Sequence, residues 1–267
     1  MAEISMDTGR LLPKLVFLGS GNLATQLSLA FHKKGYHIVQ VYSRTNESAA
    51  VLAGKLGCSF TSDVSLLSKE GDIYICALKD LAITEVLSKT NLQDKLILHT
   101  AGSIPMDILS AFSSSYGVLY PLQTLSKERQ VDFSAVPVFI EGNSEENLLV
   151  IKTLAENISG TVYRFTSSQR MHIHLAAVFV CNFVNHLYVL GKEITDKIGV
   201  PFSVLLPLID ETAAKIHELS PEKAQTGPAV RYDGNVIDKH LELLEEDEEK
   251  QRLYRLISQH IYQLSNK

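Results

Sequence analysis

The segment Lys14–Ala24, KLVFLGSGNLA, constrains this chain more than any other. A short apolar run ends in glycine, and Leu23, Leu27, Ala30 and Phe31 then recur at the spacing of one helix face, which Gly35 closes. A strand that turns on glycine directly into a helix is the opening of a βαβ unit. The alternation continues downstream. HIVQVY (37–42) reads as a strand, followed by a helix capped by Asn46 that ends near Gly57. Strands are expected at 58–61, 72–77 and 95–99, with helices over 63–68 and 80–88 between them. Strands 117–120, 136–140 and 161–165, with a helix over 144–158, extend the same sheet. Right-handed crossovers then make a doubly wound, mostly parallel sheet the simplest topology.

After Phe165 the strand signals stop, and helices are expected over 168–198, 202–219, 233–244 and 248–264. The expected organisation is a leader over 1–12, a sheet domain over 13–165 and a helical domain over 166–267. The acidic run Glu245–Glu249 reads as a solvated helix junction.

Composition narrows the partners. At 45% hydrophobic residues the chain can build a core, and 30 acidic against 25 basic residues, net −5, gives no electrostatic reason to bind nucleic acid. The most apolar helix, Leu175–Leu190, is interrupted by Asn182, Asn185 and His186 and falls short of the roughly 20 apolar residues of a membrane span, so no membrane partner is expected. Met1–Arg10 has no apolar core of a secretory signal. Cys58, Cys76 and Cys181 are scattered without metal spacing and read as reduced core thiols of a cytoplasmic protein.

The glycine turn carries the chemistry. In Gly19-Ser20-Gly21-Asn22-Leu23-Ala24, Gly19 permits the turn, Gly21 lets the backbone approach a pyrophosphate, and Ala24 allows close helix–strand packing. The helix start offers free N–H groups and a positive dipole end to phosphates. The fold class is therefore α/β: a Rossmann-type doubly wound, mostly parallel sheet followed by an all-helical C-terminal domain. Dinucleotide enzymes that use NAD place an acid at the end of the second strand. Here Ser43-Arg44-Thr45 stands instead, and a guanidinium with two hydroxyls suits a 2′-phosphate, so NADP is the expected cofactor. The other strand ends on this edge, Ala77-Leu78-Lys79 and His99-Thr100-Ala101-Gly102-Ser103, should flank the nicotinamide and its ribose, with Ala101 and Gly102 leaving room for the ring. His99 reads either as a proton donor or as a hydrogen-bonded strand-end histidine.

The apolar helix should be the spine of the helical domain. At about 100° per residue from His174, Asn185 falls near ~20°, Asn182 near ~80° and His186 near ~120°. Such a polar stripe either joins an internal network or lines a ligand cleft. Metal binding is not expected, because His172 and His174 point to different faces. Tyr120, in YPLQT, ends the sixth strand on the cofactor edge. In GPAVRYD (227–233), Asp233 can cap the next helix, and Arg231 either holds a substrate carboxylate or pairs with an acid.

Taken together, GxGNLA, VYSRT, HTAGS, YPLQT, HLAAVFxxNF and GPAxRxD resemble, from about Pro13 to the C-terminus, a family of NADP oxidoreductases. Its members join an N-terminal Rossmann-like domain to a C-terminal helical domain of unknown function. The wider group includes pyrroline-5-carboxylate reductase, deazaflavin-dependent NADP oxidoreductase and 6-phosphogluconate-type dehydrogenases. The resemblance implies a cofactor cleft between domains and a homodimer through the helical domains. It also implies that Gly19–Ala24 and Ser43–Thr45 hold NADP while Leu78 and His99–Gly102 line the nicotinamide. Hydroxyacid dehydrogenases of the group use a lysine on the first long helix of the second domain, but this chain has no lysine between Lys152 and Lys192. His174 is the nearest polar substitute.

The expected activity is hydride transfer to a small C=N or C=O substrate, with or without an anionic end. His174, then His99 or Tyr120, is the candidate acid, Asn182 the orienting group and Arg231 the anion clamp. A non-catalytic NADP-binding sensor and a deazaflavin- or flavin-linked NADP oxidoreductase are the alternatives.

Overall fold

The computed structural model describes residues 12–266, so the expected leader lies outside the described residues apart from the exposed Leu12. Eight strands form one sheet: β1 Leu15–Leu18, β2 Ile38–Tyr42, β3 Ser59–Thr61, β4 Ile73–Cys76, β5 Leu96–His99, β6 Ser115–Pro121, β7 Val138–Gly142 and β8 Val162–Arg164. Their order is β3-β2-β1-β4-β5-β6-β7-β8, parallel throughout except for the antiparallel β6–β7 pair. The chain winds outward from β1 in both directions, so the switch point lies between the carboxyl ends of β1 and β4. This is the architecture that the alternating pattern predicts.

The sheet is apolar on both faces because helices cover both. Its helices are α1 Asn22–Lys33, α2 Asn46–Leu56, α3 Asp80–Leu87 and α4 Glu145–Ile158. Phe17, Leu27, Phe31, Ile75, Leu98 and Ile151 form one core layer. Val16, Leu18, Tyr74, Ile83 and Ile97 form the other. Each such side chain contributes about 1.5–3 kcal/mol on burial.

The cap of α2 sits one residue earlier than expected. Thr45, not Asn46, accepts the Ser48 N–H, because its extended backbone turns the hydroxyl onto the first turn.

The remaining helices are α5 Ser167–Ala177, α6 Val184–Lys197, α7 Leu206–Glu218, the short α8 Pro221–Ala224 and α9 Pro228–Arg231, α10 Gly234–Leu243 and α11 Glu248–Ser265. Between α5 and α6 the chain winds as a π-helical stretch, Val178–Phe183, so one helix runs unbroken through 31 residues, Ser167–Lys197. The chain divides into two compact units between Cys181 and Asn182. Within the second, α9 packs on α10 and α11, and α6 and α7 meet the short turn Phe202–Leu205. Asp247 starts α11 by accepting the Lys250 N–H, and Lys250 also pairs with Glu193 at 2.9 Å. Asp233 precedes α10 but makes no capping hydrogen bond, contrary to expectation.

The long helix runs over Ser167–Lys197, close to the expected 168–198, but two expectations about it need correction. Its best 18-residue window has a mean hydropathy of 1.6, so by length and composition it is long and apolar enough to cross a membrane. Its valines, leucines and phenylalanines outweigh Asn182, Asn185 and His186. Nor is it a buried spine, because none of that window is buried within the chain.

Candidate cofactor and proton-transfer site

The glycine turn has the geometry that a phosphate needs. Gly19 has φ +122, and a Cβ there would lie 2.2 Å from the Ala77 carbonyl oxygen, so only glycine lets β1 end against β4. Gly21 differs, because a Cβ there would meet no protein atom within 4 Å. Nothing in the protein demands glycine at that position, and the open space is what a diphosphate would take. Gly21 caps α1 without a side-chain bond, and no acid lies in the first turn, so the leading N–H groups and the positive dipole end are left for an anion. Asn22 donates to the Leu125 carbonyl at 2.9 Å, which ties the helix start to a neighbouring loop, while Leu23 and the buried Ala24 pack against the core. These residues fit a bound dinucleotide.

At the end of β2 the hydroxyls are already engaged. Ser20 donates to Ser43 at 2.7 Å between two buried side chains, and Thr45 caps α2. Arg44 is exposed and makes no ion pair among the described residues, although, after the Lys89 hydrogen bond and charge, its own charge helps to hold the Glu85 pKa down.

The ends of β4 and β5 close the other side. Ala77 donates to Leu18, the Leu78 side chain would lie 3.6 Å from a Cβ at Gly19, and Lys79 is exposed as it enters α3. The Thr100 hydroxyl donates to the Cys76 carbonyl, and Ser103 donates to Asp80, joining the two loops.

Of the two roles open to His99, the structure assigns the strand-end one. The ring is fully buried, and Nδ1 accepts from the Ala101 N–H at 3.2 Å. Burial first, then the Arg170 cation, pushes its pKa down to about 3. Such an imidazole stays neutral near pH 7 and does not serve as the acid. Its Nε2 makes no hydrogen bond.

His174 and Tyr120 come together instead. The Tyr120 hydroxyl lies 3.0 Å from His174 Nδ1, and the rings meet edge-on with centroids 6.1 Å apart. With the phenol donating to Nδ1, the imidazole proton sits on Nε2. Burial raises the Tyr120 pKa, so the phenol keeps its proton. Gly102 makes room for this histidine: a Cβ there would lie 2.7 Å from His174 Cγ and Nδ1. The space that the sequence reserved for a nicotinamide ring is, at this atom, taken by the imidazole.

Sequence reasoning missed two residues beneath this pair. Arg170 is 1% exposed and bonds to Glu141 Oε2 at 2.5 Å. The only signal was an arginine one turn before His174 on the same helix face.

The polar stripe does not form as drawn. The π-helical stretch spends an extra residue per turn, which rotates everything beyond it by about 100° relative to an ideal helix. Asn182, Asn185 and His186 are exposed and make no side-chain hydrogen bond among the described residues, while His174 is half-buried. His172 bonds to the Ser168 carbonyl on its own helix. Arg231 is exposed in the last turn of α9, in the second unit, and makes no ion pair with Asp233.

An open, mostly parallel sheet with an uncapped, glycine-rich helix start at its switch point is the Rossmann-type arrangement that binds dinucleotides. Relatives narrow this class. The family described as NADP oxidoreductase coenzyme F420-dependent matches residues 14–102, and a domain of unknown function, DUF2520, matches residues 136–261. The candidate NADP oxidoreductase BF3122 from Bacteroides fragilis is 48% identical over 94% of this chain and 98% of its own, with a TM-score of 0.89. Protein TM1727 from Thermotoga maritima shares the fold at 24% identity over 95% of this chain and 100% of its own, TM-score 0.80. The 1-pyrroline-5-carboxylate reductase from Streptococcus pyogenes does so at 15% identity over 94% and 98%, TM-score 0.61. A reductive aminase from Aspergillus terreus, solved with NADPH and ethyl-5-oxohexanoate, has the same fold at 15% identity over 95% and 92%, TM-score 0.66. Among curated proteins none matches. The chain belongs to the NADP oxidoreductase family whose Rossmann-like N-terminal domain precedes a DUF2520 helical domain, and it is an NAD(P)-dependent oxidoreductase by class.

Proposed function

We propose that this protein is an NADPH-dependent reductase of a small C=N or C=O substrate, with His174 as proton donor and Tyr120 as its orienting partner. The observation that carries this reading is the 3.0 Å contact between Tyr120 and His174 Nδ1, next to Gly102 at the carboxyl end of the sheet. Gly19, Gly21 and the free start of α1 would hold the diphosphate, and the exposed Arg44 would grip the 2′-phosphate. When bound, the dinucleotide supplies a hydride. His174 Nε2 would give its proton to the substrate nitrogen or oxygen while Nδ1 takes the proton of the Tyr120 hydroxyl, so the imidazole stays neutral and the substrate's double bond becomes a single bond carrying that proton and the hydride. Solvent then returns a proton to the Tyr120 oxygen. General-acid help of this kind is worth about 10²–10⁴-fold.

Cytoplasmic placement accords with the three free cysteines. A second copy of the chain covering the apolar face of Ser167–Lys197 belongs to the same proposal. The test is NADPH oxidation against imines, ketoacids and deazaflavins. His174→Gln should lower turnover about 10²–10⁴-fold with unchanged NADPH affinity; undiminished turnover in that variant removes His174 from the mechanism.

A second reading has its own support. The family matched over residues 14–102 is described as coenzyme F420-dependent. In that case a deazaflavin is the hydride partner, and the deazaflavin arm of the same screen is the one that responds.

A further inference from the structure

Arg170 is the largest fully buried side chain in the described structure. A guanidinium taken out of water costs several kcal/mol, roughly, unless its donors are met. Here they are. Nε donates to the Ala101 carbonyl at 3.1 Å, Nη2 to the Ile104 carbonyl at 2.5 Å, and Nη1 to Glu141 Oε2 at 2.5 Å. Nη2 also reaches Ser167 Oγ at 3.3 Å. Glu141, in β7, accepts from the Ser167 N–H at 2.9 Å and from its hydroxyl at 2.8 Å. Met106 N–H closes the ring on Ser167 Oγ at 2.9 Å. One cation thus joins β7, the first turn of α5 and the loop that follows β5.

A structural role alone explains the pairing but not its location. Buried ion pairs add little stability over an apolar filling, so the position of one is the informative part. The two carbonyls that Arg170 grips, Ala101 and Ile104, bracket Gly102. Gly102 is the residue against which His174 rests. Arg170 and His174 are four residues apart on α5 and therefore share a face. The guanidinium fixes both sides of the Gly102–His174 contact at once.

We propose that Arg170 is a positioning residue, which clamps the Ala101–Ile104 loop to α5 and so holds the His174 imidazole within hydrogen-bond distance of the Tyr120 hydroxyl. The catalytic consequence rests on the reductase reading above; the positioning itself does not. A lysine cannot replace it, because a point charge on a flexible stem does not span two carbonyls and a carboxylate as the planar fork does. The titratable or charged groups acting on Tyr120 are His174, by direct contact, and Arg170, whose charge opposes the rise that burial causes. Glu141 acts through Arg170.

The test uses the full chain with ¹⁵N-labelled histidine, His174→Gln serving to assign the His174 ring nitrogens and Tyr120→Phe to define their pattern without the phenol. Arg170→Lys should fold, by thermal melting, and should move the His174 signals toward the Tyr120→Phe pattern. Wild-type His174 signals in folded Arg170→Lys would overturn the proposal. If Arg170→Lys does not fold, Glu141→Gln keeps the acceptor shape and leaves the cation unneutralised. The Tyr120 phenol, read as the ultraviolet titration difference from Tyr120→Phe, should then titrate at lower pH than in the wild type, and an unmoved titration overturns the clamp. With a substrate from the screen, kcat of Arg170→Lys should fall about tenfold to hundredfold while KM stays near its wild-type value. Wild-type protein that turns over nothing refutes the reductase reading alone, because the ring-nitrogen signals still decide the clamp.

Discussion

The sheet unit and the helical unit bury their apolar residues in different ways. In the first, Leu15, Val16, Phe17 and Leu18 are fully enclosed, and two layers of helices complete the core. In the second, the buried apolar side chains among the described residues are Ala229, Ile237 and Leu241, while Ile198 is 73%, Leu208 64% and Leu243 79% exposed. Both stretches of sequence are equally apolar to the eye. A parallel sheet must be covered on both faces to exist, so its apolar content is spent inside the chain. A helix satisfies its own backbone and can leave an apolar stripe for another surface. Large contiguous apolar exposure on a folded chain marks an interaction surface.

The contrast can be broken by paired substitutions. Phe17→Ala should cost about 3–5 kcal/mol, read as a loss of urea midpoint at unchanged slope. Val180→Ala, at a 74% exposed position on the apolar helix that runs on into the second unit, should cost about 0.5 kcal/mol or less in dilute chains. If a second copy covers that face, as proposed, Val180→Glu should halve the mass seen in sedimentation, because a charge there opposes apolar docking. An unchanged mass would take Val180 out of the proposed interface.

Inside the sheet unit, acid should expose His99. Its folded pKa, about 3, lies below the value of an unfolded histidine near 6.5. The unfolded chain therefore binds the proton first, and stability falls as pH drops from about 6.5 toward about 3, by about 5 kcal/mol in full. His99→Leu should flatten that limb of the stability profile; an equally steep limb would mean that other groups carry it. A binding effect concerns the exposed Arg44. Arg44→Asp should cost NADPH about 1.5–3 kcal/mol of binding while sparing NADH, measured by calorimetry of both. Equal losses for both cofactors would make Arg44 an ordinary surface residue.

Legibility followed period and spacing. All eight strands were readable, because short runs of three to seven residues rich in apolar and β-branched side chains between turn signals leave few alternatives. The glycine turn was readable because Gly19 answers a local backbone demand, whereas nothing within 4 Å crowds Gly21. The cap of α2 missed by one position, which is the scale on which Thr and Asn compete as caps. The polar stripe was misdrawn because a helical wheel assumes one pitch, and the π-helical stretch at Val178–Phe183 breaks it without a hydropathy signature. Arg170 and Glu141 were invisible, since their pairing joins positions 29 residues apart and no periodicity marks a buried charge.

The amino-acid order alone determined the alternating strands and helices and the glycine turn that opens them, because each depends on neighbours a few residues away. Only the tertiary structure decided which histidine is buried neutral and which meets a phenol. It buried His99 beside a cation and set His174 against Tyr120, and proton affinity depends on surroundings that the chain assembles from distant segments.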